Sequence, residues 1–235
     1  FQKIVGQMQF GGFHTFTVDE HTLRAIGLLD DLQKGMGDSE EKIYNGTFSE
    51  ILSPKTLYIS LFFHDLGKGR GLDHSIVSSK IAKKFCFFLK LNQVETNTII
   101  WLIKNHLLMS KISQRLDLED PRTITKFVKK ISSLEQLKLL FLFTFIDMKA
   151  TGKKVWNSWN KFLLEQLFLK SRKFILSGFK KNFLPGSKEI KLKLKKRFKH
   201  ISSNKFEKLF RTFPKDFIAN NSTSKLYQYL NIVHR

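Results

Sequence analysis

The sequence has a single cysteine, few acidic residues and no long apolar run. The single cysteine, Cys86, excludes an internal disulfide and is typical of a reducing compartment. We therefore expect a cytoplasmic protein in which Cys86, flanked by phenylalanines, is a core residue. The longest apolar stretch, residues 139–146, is shorter than the roughly 18 residues that cross a bilayer and ends at Asp147. We expect no membrane partner.

Acidic residues are half as frequent as basic ones, with 20 Asp and Glu against 41 Lys and Arg and a formal net charge of +21. This balance favours nucleic acid or acidic lipid as a partner. Lysines spread over predicted helix surfaces are equally typical of a solvated face. The densest part, residues 170–199, holds twelve basic residues and one Glu. We do not expect nucleic acid as the main partner, and a non-catalytic basic binding module is the alternative.

Apolar residues recur at helical spacing, and no stretch alternates with the period of two that marks a strand. The predicted fold class is therefore all-α, a helical bundle with extra C-terminal helices. The predicted helices are 17–32, 54–65, 73–89, 92–107, 120–130, 134–149, 155–176, 188–200 and 206–213. Loops are predicted at 34–53, with a short helical piece near 49–52, and at 108–117.

Capping residues and apolar stripes support these helices. The predicted N-caps are Thr17 in a capping box with Glu20, Asp73, Asp120 before Pro121, and Ser133. The predicted buried stripes are Leu23, Ile26 and Leu28 or Leu29 in the first helix, and Ile76, Ile81, Phe85 and Phe88 in the helix from 73. Trp156 and Trp159 are predicted to pack in the core.

Segment 58–75 places polar groups where an apolar helix ends. His64 and Asp65 are adjacent at that end, and three glycines interrupt the helix immediately afterwards. A buried His-Asp pair is destabilising unless something pairs with it. A divalent cation is the simplest explanation because imidazole and carboxylate both bind one. A His-Asp dipeptide without a metal is nevertheless common, so the other histidines and carboxylates have to be considered.

Histidines and carboxylates recur at helix ends and on apolar helix faces. They are His21, His64, Asp65, His74, His106 and Asp147. In a bundle, separate helices can deliver such side chains to one point in the core. Mixed nitrogen and oxygen ligands suit Mn, Fe, Zn or Co, with Mg at a carboxylate-rich position, and six ligands suffice for one or two ions. We therefore predict a divalent metal site.

The order His, His-Asp, His, His, Asp on a helical chain resembles the HD-domain metal-dependent phosphohydrolases. Within them, long local motifs resemble the HD region of the bifunctional uridylyltransferase/uridylyl-removing enzymes, which act on the PII nitrogen-signalling protein. The motifs are residues 13–23, 63–75, 101–110, 147–152 and 155–159. The resemblance covers residues 1 to about 171. We predict an HD domain over residues 1–176, followed by a basic helical extension over 177–235.

The resemblance implies a bacterial metal-dependent phosphodiesterase that hydrolyses UMP from uridylylated PII. It implies that metal is held by His21, His64, Asp65 and Asp147 at a first position and by His74 and His106 at a second. Asp65 and Lys68 are the implied catalytic residues, and His14 and Arg70 are further candidates for phosphate contact. The nucleotidyltransferase and ACT domains of the family are expected elsewhere on a longer parent chain. A hydrolase of small nucleotides is the alternative within enzymes.

Overall fold

The computed structural model describes residues 1–8, 15–36, 41–70, 73–183, 191–192, 194–195, 197–198, 201, 203–213, 226–227 and 229–230. Within these residues every regular element is helical, so the all-α prediction is confirmed. The elements are a 3-10 turn (Gln2–Ile4), α1 (Val18–Gln33), α2 (Lys42–Ser49), α3 (Pro54–Phe63), α4 (His74–Phe88), α5 (Gln93–Asn105), α6 (Leu108–Arg115), α7 (Pro121–Val128), α8 (Leu134–Thr151), α9 (Ser158–Phe183) and a helix over Ser203–Arg211. No helix in the described ranges is long and apolar enough to cross a membrane.

The chain divides into two compact units, Phe1–Arg172 and Lys173–Arg235. The boundary predicted at residue 176 stays a prediction. The second unit has its own apolar cluster, made of Leu194, Phe198, Phe206, Phe210, Leu226 and Leu230. Its described residues between 191 and 197 are helical, as predicted, and the rest of the predicted helix 188–200 falls largely outside the described part of the chain.

Helix α8 is apolar on all sides and forms the centre of the first unit. Phe141 and Phe143 are fully buried, and Phe145 is 1% exposed. A helix that is hydrophobic all round must pack inside a protein, and α1, α2, α3, α5 and α6 all lie against α8. The carboxylate of Asp147 is therefore carried into the core. Gly152, with φ at 124°, ends the helix in a conformation that other residues rarely adopt.

Two predicted apolar stripes are partly wrong. Ile76, Phe85 and Phe88 of α4 are 46%, 37% and 77% exposed, and Leu23 of α1 is 58% exposed. The buried residues of α4 are instead small, namely Ser75, Ser78, Ser79, Ala82 and Cys86. Because α4 lies close to α5 and to the turn after α3, only small side chains fit between them. Burial of Cys86 confirms the prediction for that residue.

Helices α2 and α6 lie where loops were predicted. Tyr44 of α2 stacks on Phe141 and Phe145, with ring centroids 4.9 Å and 3.9 Å apart. Helix α6 buries Met109 and Ser113, which are four residues apart. Each helix has too few apolar residues to show a clear period. Packing against α8 stabilises them, as tertiary contacts usually do for helices this short.

The predicted caps are confirmed at three helices. The side chains of Asp73, Asp120 and Ser133 accept backbone N–H groups at the starts of α4, α7 and α8. Thr17 does precede α1, but its side chain makes no capping hydrogen bond, so the predicted capping box is wrong.

The turn between α3 and α4 depends on Gly67. A Cβ at this position would lie 2.4 Å from the backbone oxygen of His74 and 2.8 Å from the backbone nitrogen of Ser78. The Gly67 N–H also donates to Ser78 Oγ at 2.9 Å. Glycine thus allows the turn that follows His64 and Asp65 to pack directly on the first turns of α4.

We expect Gly67→Ala to lower the free energy of unfolding by about 3 kcal/mol, at the upper end of the usual cost of overpacking because the clash is with backbone. Gly46→Ala in α2 is the matched control, since a Cβ there meets nothing within 4 Å. Alanine is favoured over glycine inside a helix by about 0.5–1 kcal/mol, so this variant is expected to gain stability. Urea unfolding measures both, and equal stabilities of the two variants would contradict the prediction.

Candidate metal centre

The first unit brings all six predicted metal ligands together. His21 lies on α1 and Asp147 on α8, whereas His64 and Asp65 follow α3 directly. His74 is the first residue of α4, and His106 ends α5. The ligand atoms form two groups, His21 with His64 and Asp147, and Asp65 with His74 and His106. Within each group these atoms lie within 4.8 Å of one another, so each group can hold a metal ion.

Asp147 lies between the two histidines of the first group. Its Oδ1 is 2.9 Å from His21 Nε2 and 3.4 Å from His64 Nε2. The opposite ring nitrogen of His64, Nδ1, donates to the Leu61 carbonyl at 2.7 Å. This hydrogen bond turns Nε2 of His64 toward the carboxylates. Metal-binding histidines are commonly oriented in this way.

The second group repeats this arrangement around His106. Its Nδ1 donates to the Ile103 carbonyl at 2.8 Å, and its Nε2 lies 3.4 Å from Nε2 of His74. Two imidazole nitrogens that face each other at this distance, with a carboxylate nearby, form a nitrogen-rich pocket for a cation.

Asp65 connects the two groups. Its Oδ2 lies 3.2 Å from His64 Nε2 and 3.9 Å from His21 Nε2 in the first group. Its Oδ1 lies 3.7 Å from His74 Nε2 in the second group. Lys68, one turn later, forms an ion pair with the same carboxylate. Asp65 is therefore the one side chain among the six with an oxygen facing each group.

Burial leaves two of these atoms without a hydrogen bond. Side chains at His64 and Asp65 are almost completely buried. Among the described residues, His64 Nε2 and Asp65 Oδ1 have no hydrogen-bond partner. An unsatisfied buried polar atom costs about 1–3 kcal/mol. A divalent ion would satisfy both atoms, so the residues present fit a bound metal.

The charges of the centre are strongly coupled. Burial lowers the pKa of His64, but the neighbouring carboxylates of Asp65 and Asp147 outweigh burial and raise it to about 10. Burial raises the pKa of Asp65, and the charge of His64 overcomes this effect and holds that pKa below its usual range. Burial, together with the charge of His64, lowers the pKa of His106 to about 4. Metal binds the neutral form of histidine, so His106 is already in the binding form at pH 7, whereas a metal at His64 displaces the proton of that residue.

A cavity of about 270 Å³ opens beside the second group. Lys68 and His74 line it, and so do Ser110 and Gln114 of α6. Ser110 and Gln114 are not among the predicted site residues, because residues 108–117 were predicted to form a loop. Their four-residue spacing is a signal only once the segment is known to be helical. The cavity gives a substrate access to the otherwise buried ligand atoms.

Three other candidate residues, Arg70, Trp156 and Trp159, do not line this cavity. Arg70 is exposed in the turn after Gly69, and His14 lies outside the described residues. Trp156 packs against Tyr44 and Phe145, with ring centroids 6.0 Å and 5.1 Å apart. Trp159 is 64% exposed, so the prediction that it packs in the core is wrong.

Manganese is expected to raise the melting temperature of the chelator-treated protein by about 5–10 °C. Ligand at a hundred times its Kd stabilises a fold by about 2.7 kcal/mol, and each kcal/mol shifts the melting temperature by about 2–4 °C in a protein of this size. Calcium is the control, because it prefers six to eight oxygen ligands, a number these histidine-rich groups do not offer. Scanning calorimetry measures the shifts, and equal shifts with both ions would contradict a histidine-based site.

A family model described as HD domain matches residues 18–137. This range contains five of the six predicted ligands, and Asp147 follows it. Since the match covers more than half of the chain, the family expected from the order of histidines and aspartates is confirmed.

Three curated relatives of this chain carry the same name. The chain is 41% identical over 182 residues to the bifunctional uridylyltransferase/uridylyl-removing enzyme of Novosphingobium aromaticivorans, covering 77% of this chain and 20% of that relative. The enzymes of the same name from Azospirillum brasilense and Nitrobacter winogradskyi are each 39% identical, over 76% of this chain and 19% and 20% of their own lengths. The resemblance is confirmed, and the match spans about a fifth of these relatives.

Proposed function

Because this chain belongs to the HD-domain family, we propose that it is a metal-dependent phosphodiesterase that removes UMP from a uridylylated PII protein. The observation that carries this proposal is the pair of histidine-aspartate groups joined by Asp65 beside a cavity. The relatives' shared name adds the uridylyl-removing activity. Uridylyl transfer would belong to other parts of a longer protein, since the match spans only about a fifth of those relatives.

Six side chains would hold the metal in this proposal. His21, His64, Asp65 and Asp147 would bind a first ion, and His74 and His106 would bind a second with Asp65 between them. The donor set suits Mn, Fe, Zn or Co, and Mg at the carboxylate-rich position. Bound divalent ions supply Lewis acidity at the phosphoryl oxygens and lower the pKa of water to near neutrality.

The protein's own groups would orient and neutralise the substrate. Lys68 is held by Asp65 at the cavity wall, so its ammonium would lie next to a phosphoryl group that approaches the metal centre. A positive charge fixed there favours the charge that develops on the phosphoryl oxygens. The leaving group would be a tyrosyl phenolate with a pKa of about 10, which departs more easily than an alkoxide. A strong general acid is therefore less necessary.

UMP release from uridylylated PII by the manganese-loaded chain tests this proposal. The His64→Ala/Asp65→Ala double variant is the matched inactive control. UMP release by the unmodified chain, and none by the double variant, would support both the activity and its site. A minimal substrate, uridine 5′-(4-nitrophenyl phosphate), separates chemistry from docking, because it also releases a phenolate and needs no protein contact. A folded, metal-loaded chain that hydrolyses neither substrate would contradict the proposal. Preferential hydrolysis of small nucleotides would favour the alternative substrate class.

A further inference from the structure

A larger cavity, of about 740 Å³, lies on another face of α8. Its volume is in the range of small-molecule sites, which is about 300–1,000 Å³. Asp147 and Lys149 are two residues apart on α8, so their side chains point about 200° apart around the helix axis. Asp147 faces the metal centre, and Lys149 lines this second cavity. The cavity shares no lining residue with the one beside the metal centre.

Positive charge dominates the wall of this cavity. Arg24, Lys149, Lys153 and Lys154 line it, against one carboxylate, Asp31. Arg24 Nη1 lies 3.6 Å from Glu20 Oε1, and the Lys149 ammonium forms an ion pair with the Glu41 carboxylate. Lys153 and Lys154 are exposed on the turn after α8 and form no ion pair with any described residue. Two adjacent ammonium groups are thus available to an anion.

Two aromatic residues, Phe16 and Trp156, form the aromatic wall of this cavity. The guanidinium of Arg24 lies over the Phe16 ring, and its central carbon is 3.9 Å from the ring centroid. The Trp156 ring is fixed in place by T-shaped contacts with Tyr44 and Phe145. Aromatic side chains in nucleotide sites stack with nucleobases whatever the base. A planar ring that carries phosphates would match the ammonium groups and the aromatic wall together.

We propose that this cavity binds a nucleoside phosphate. Its phosphates lie at Lys153 and Lys154, and its base lies against Trp156. Asp31 accepts a hydrogen bond from a ribose hydroxyl or an exocyclic amine, as carboxylates do in other nucleotide sites. A phosphate alone uses only the lysines, and a nucleoside alone uses only the aromatic wall. The site is separate from the phosphodiesterase centre and does not depend on it.

Calorimetric titration of the full chain with ADP in excess chelator tests the site without a metal. Adenosine and inorganic pyrophosphate are the two half-ligands, and both are expected to bind at least about tenfold more weakly than ADP. Lys153→Ala/Lys154→Ala is expected to raise the Kd for ADP at least about tenfold, since the charged hydrogen bonds that both ammonium groups donate to the phosphates are lost. Lys83→Ala/Lys84→Ala, an exposed lysine pair on α4, removes the same charge elsewhere and is expected to change the Kd less than about twofold.

Three results would overturn the proposal. The first is that both lysine variants weaken ADP binding equally, which would mean that ADP is attracted unspecifically to a basic protein. The second is pyrophosphate binding as tight as that of ADP, which would mean that the aromatic wall is not used. The third is no ADP binding below millimolar concentration. The Lys153→Ala/Lys154→Ala variant is expected to hydrolyse uridine 5′-(4-nitrophenyl phosphate) within about twofold of the parent rate, so failure of this site and failure of the phosphodiesterase proposal are distinguishable.

Discussion

Asp65→Asn is expected to lower kcat for phosphodiester hydrolysis by at least about a thousandfold, equivalent to about 4 kcal/mol in the barrier. Asp65 has one carboxylate oxygen 3.2 Å from His64 Nε2 and the other 3.7 Å from His74 Nε2. Asparagine removes the negative charge shared by both groups and turns an NH₂ toward one of them. Both metal positions should weaken together, whereas loss of any other ligand affects one group directly.

Asp73→Asn is the matched control for this change. Asp73 lies eight residues later and caps α4 through the Ser75 N–H, and asparagine caps a helix equally well. Its activity is expected within about threefold of the parent. Metal content after dialysis and kcat at saturating manganese measure both variants. An Asp65→Asn chain that keeps its metal and a tenth of its activity would contradict the role given to Asp65.

Lys68→Met is expected to lower kcat about a hundredfold while the affinity for manganese changes little. Lys68 pairs with Asp65 and lines the cavity, so its ammonium lies where phosphoryl charge would develop. Removal of one fixed donor from a site of this kind typically costs 10²–10³-fold in rate. Methionine keeps most of the side-chain volume and removes the positive charge together with its N–H donors.

A manganese titration separates catalysis from metal binding in this variant. Lys104→Met is the matched control, because Lys104 is exposed and lines a neighbouring cavity without pairing with Asp65. That control is expected to keep kcat within about twofold. If Lys68→Met recovers the full rate at high manganese, Lys68 supports metal binding and is not a catalytic residue.

Local signals explain which parts of the fold were predictable. Asp73, Asp120 and Ser133 mark helix starts because the side-chain oxygen of each accepts a backbone N–H of its own first turn. The predicted stripe of α4 is wrong because α4 packs closely against α5 and only small residues fit between the two helices. The hydrophobicity of the residues does not indicate how close two helices lie. Helix α6 was missed for a related reason, since its stability comes from packing on α8.

The candidate ligands were visible in the sequence because a histidine or aspartate that ends an apolar helix is costly without a partner. His64, Asp65 and Asp147 stand out in this way, and the order of all six residues indicated the family. Which atoms meet was decided only by tertiary structure. His21 and Asp147 are 126 residues apart in sequence and 2.9 Å apart in space, because α1 and α8 pack together. The same long-range packing places Asp65 between the two groups. Spacing along the chain carries no information about such contacts, since they depend on how separate helices share one core.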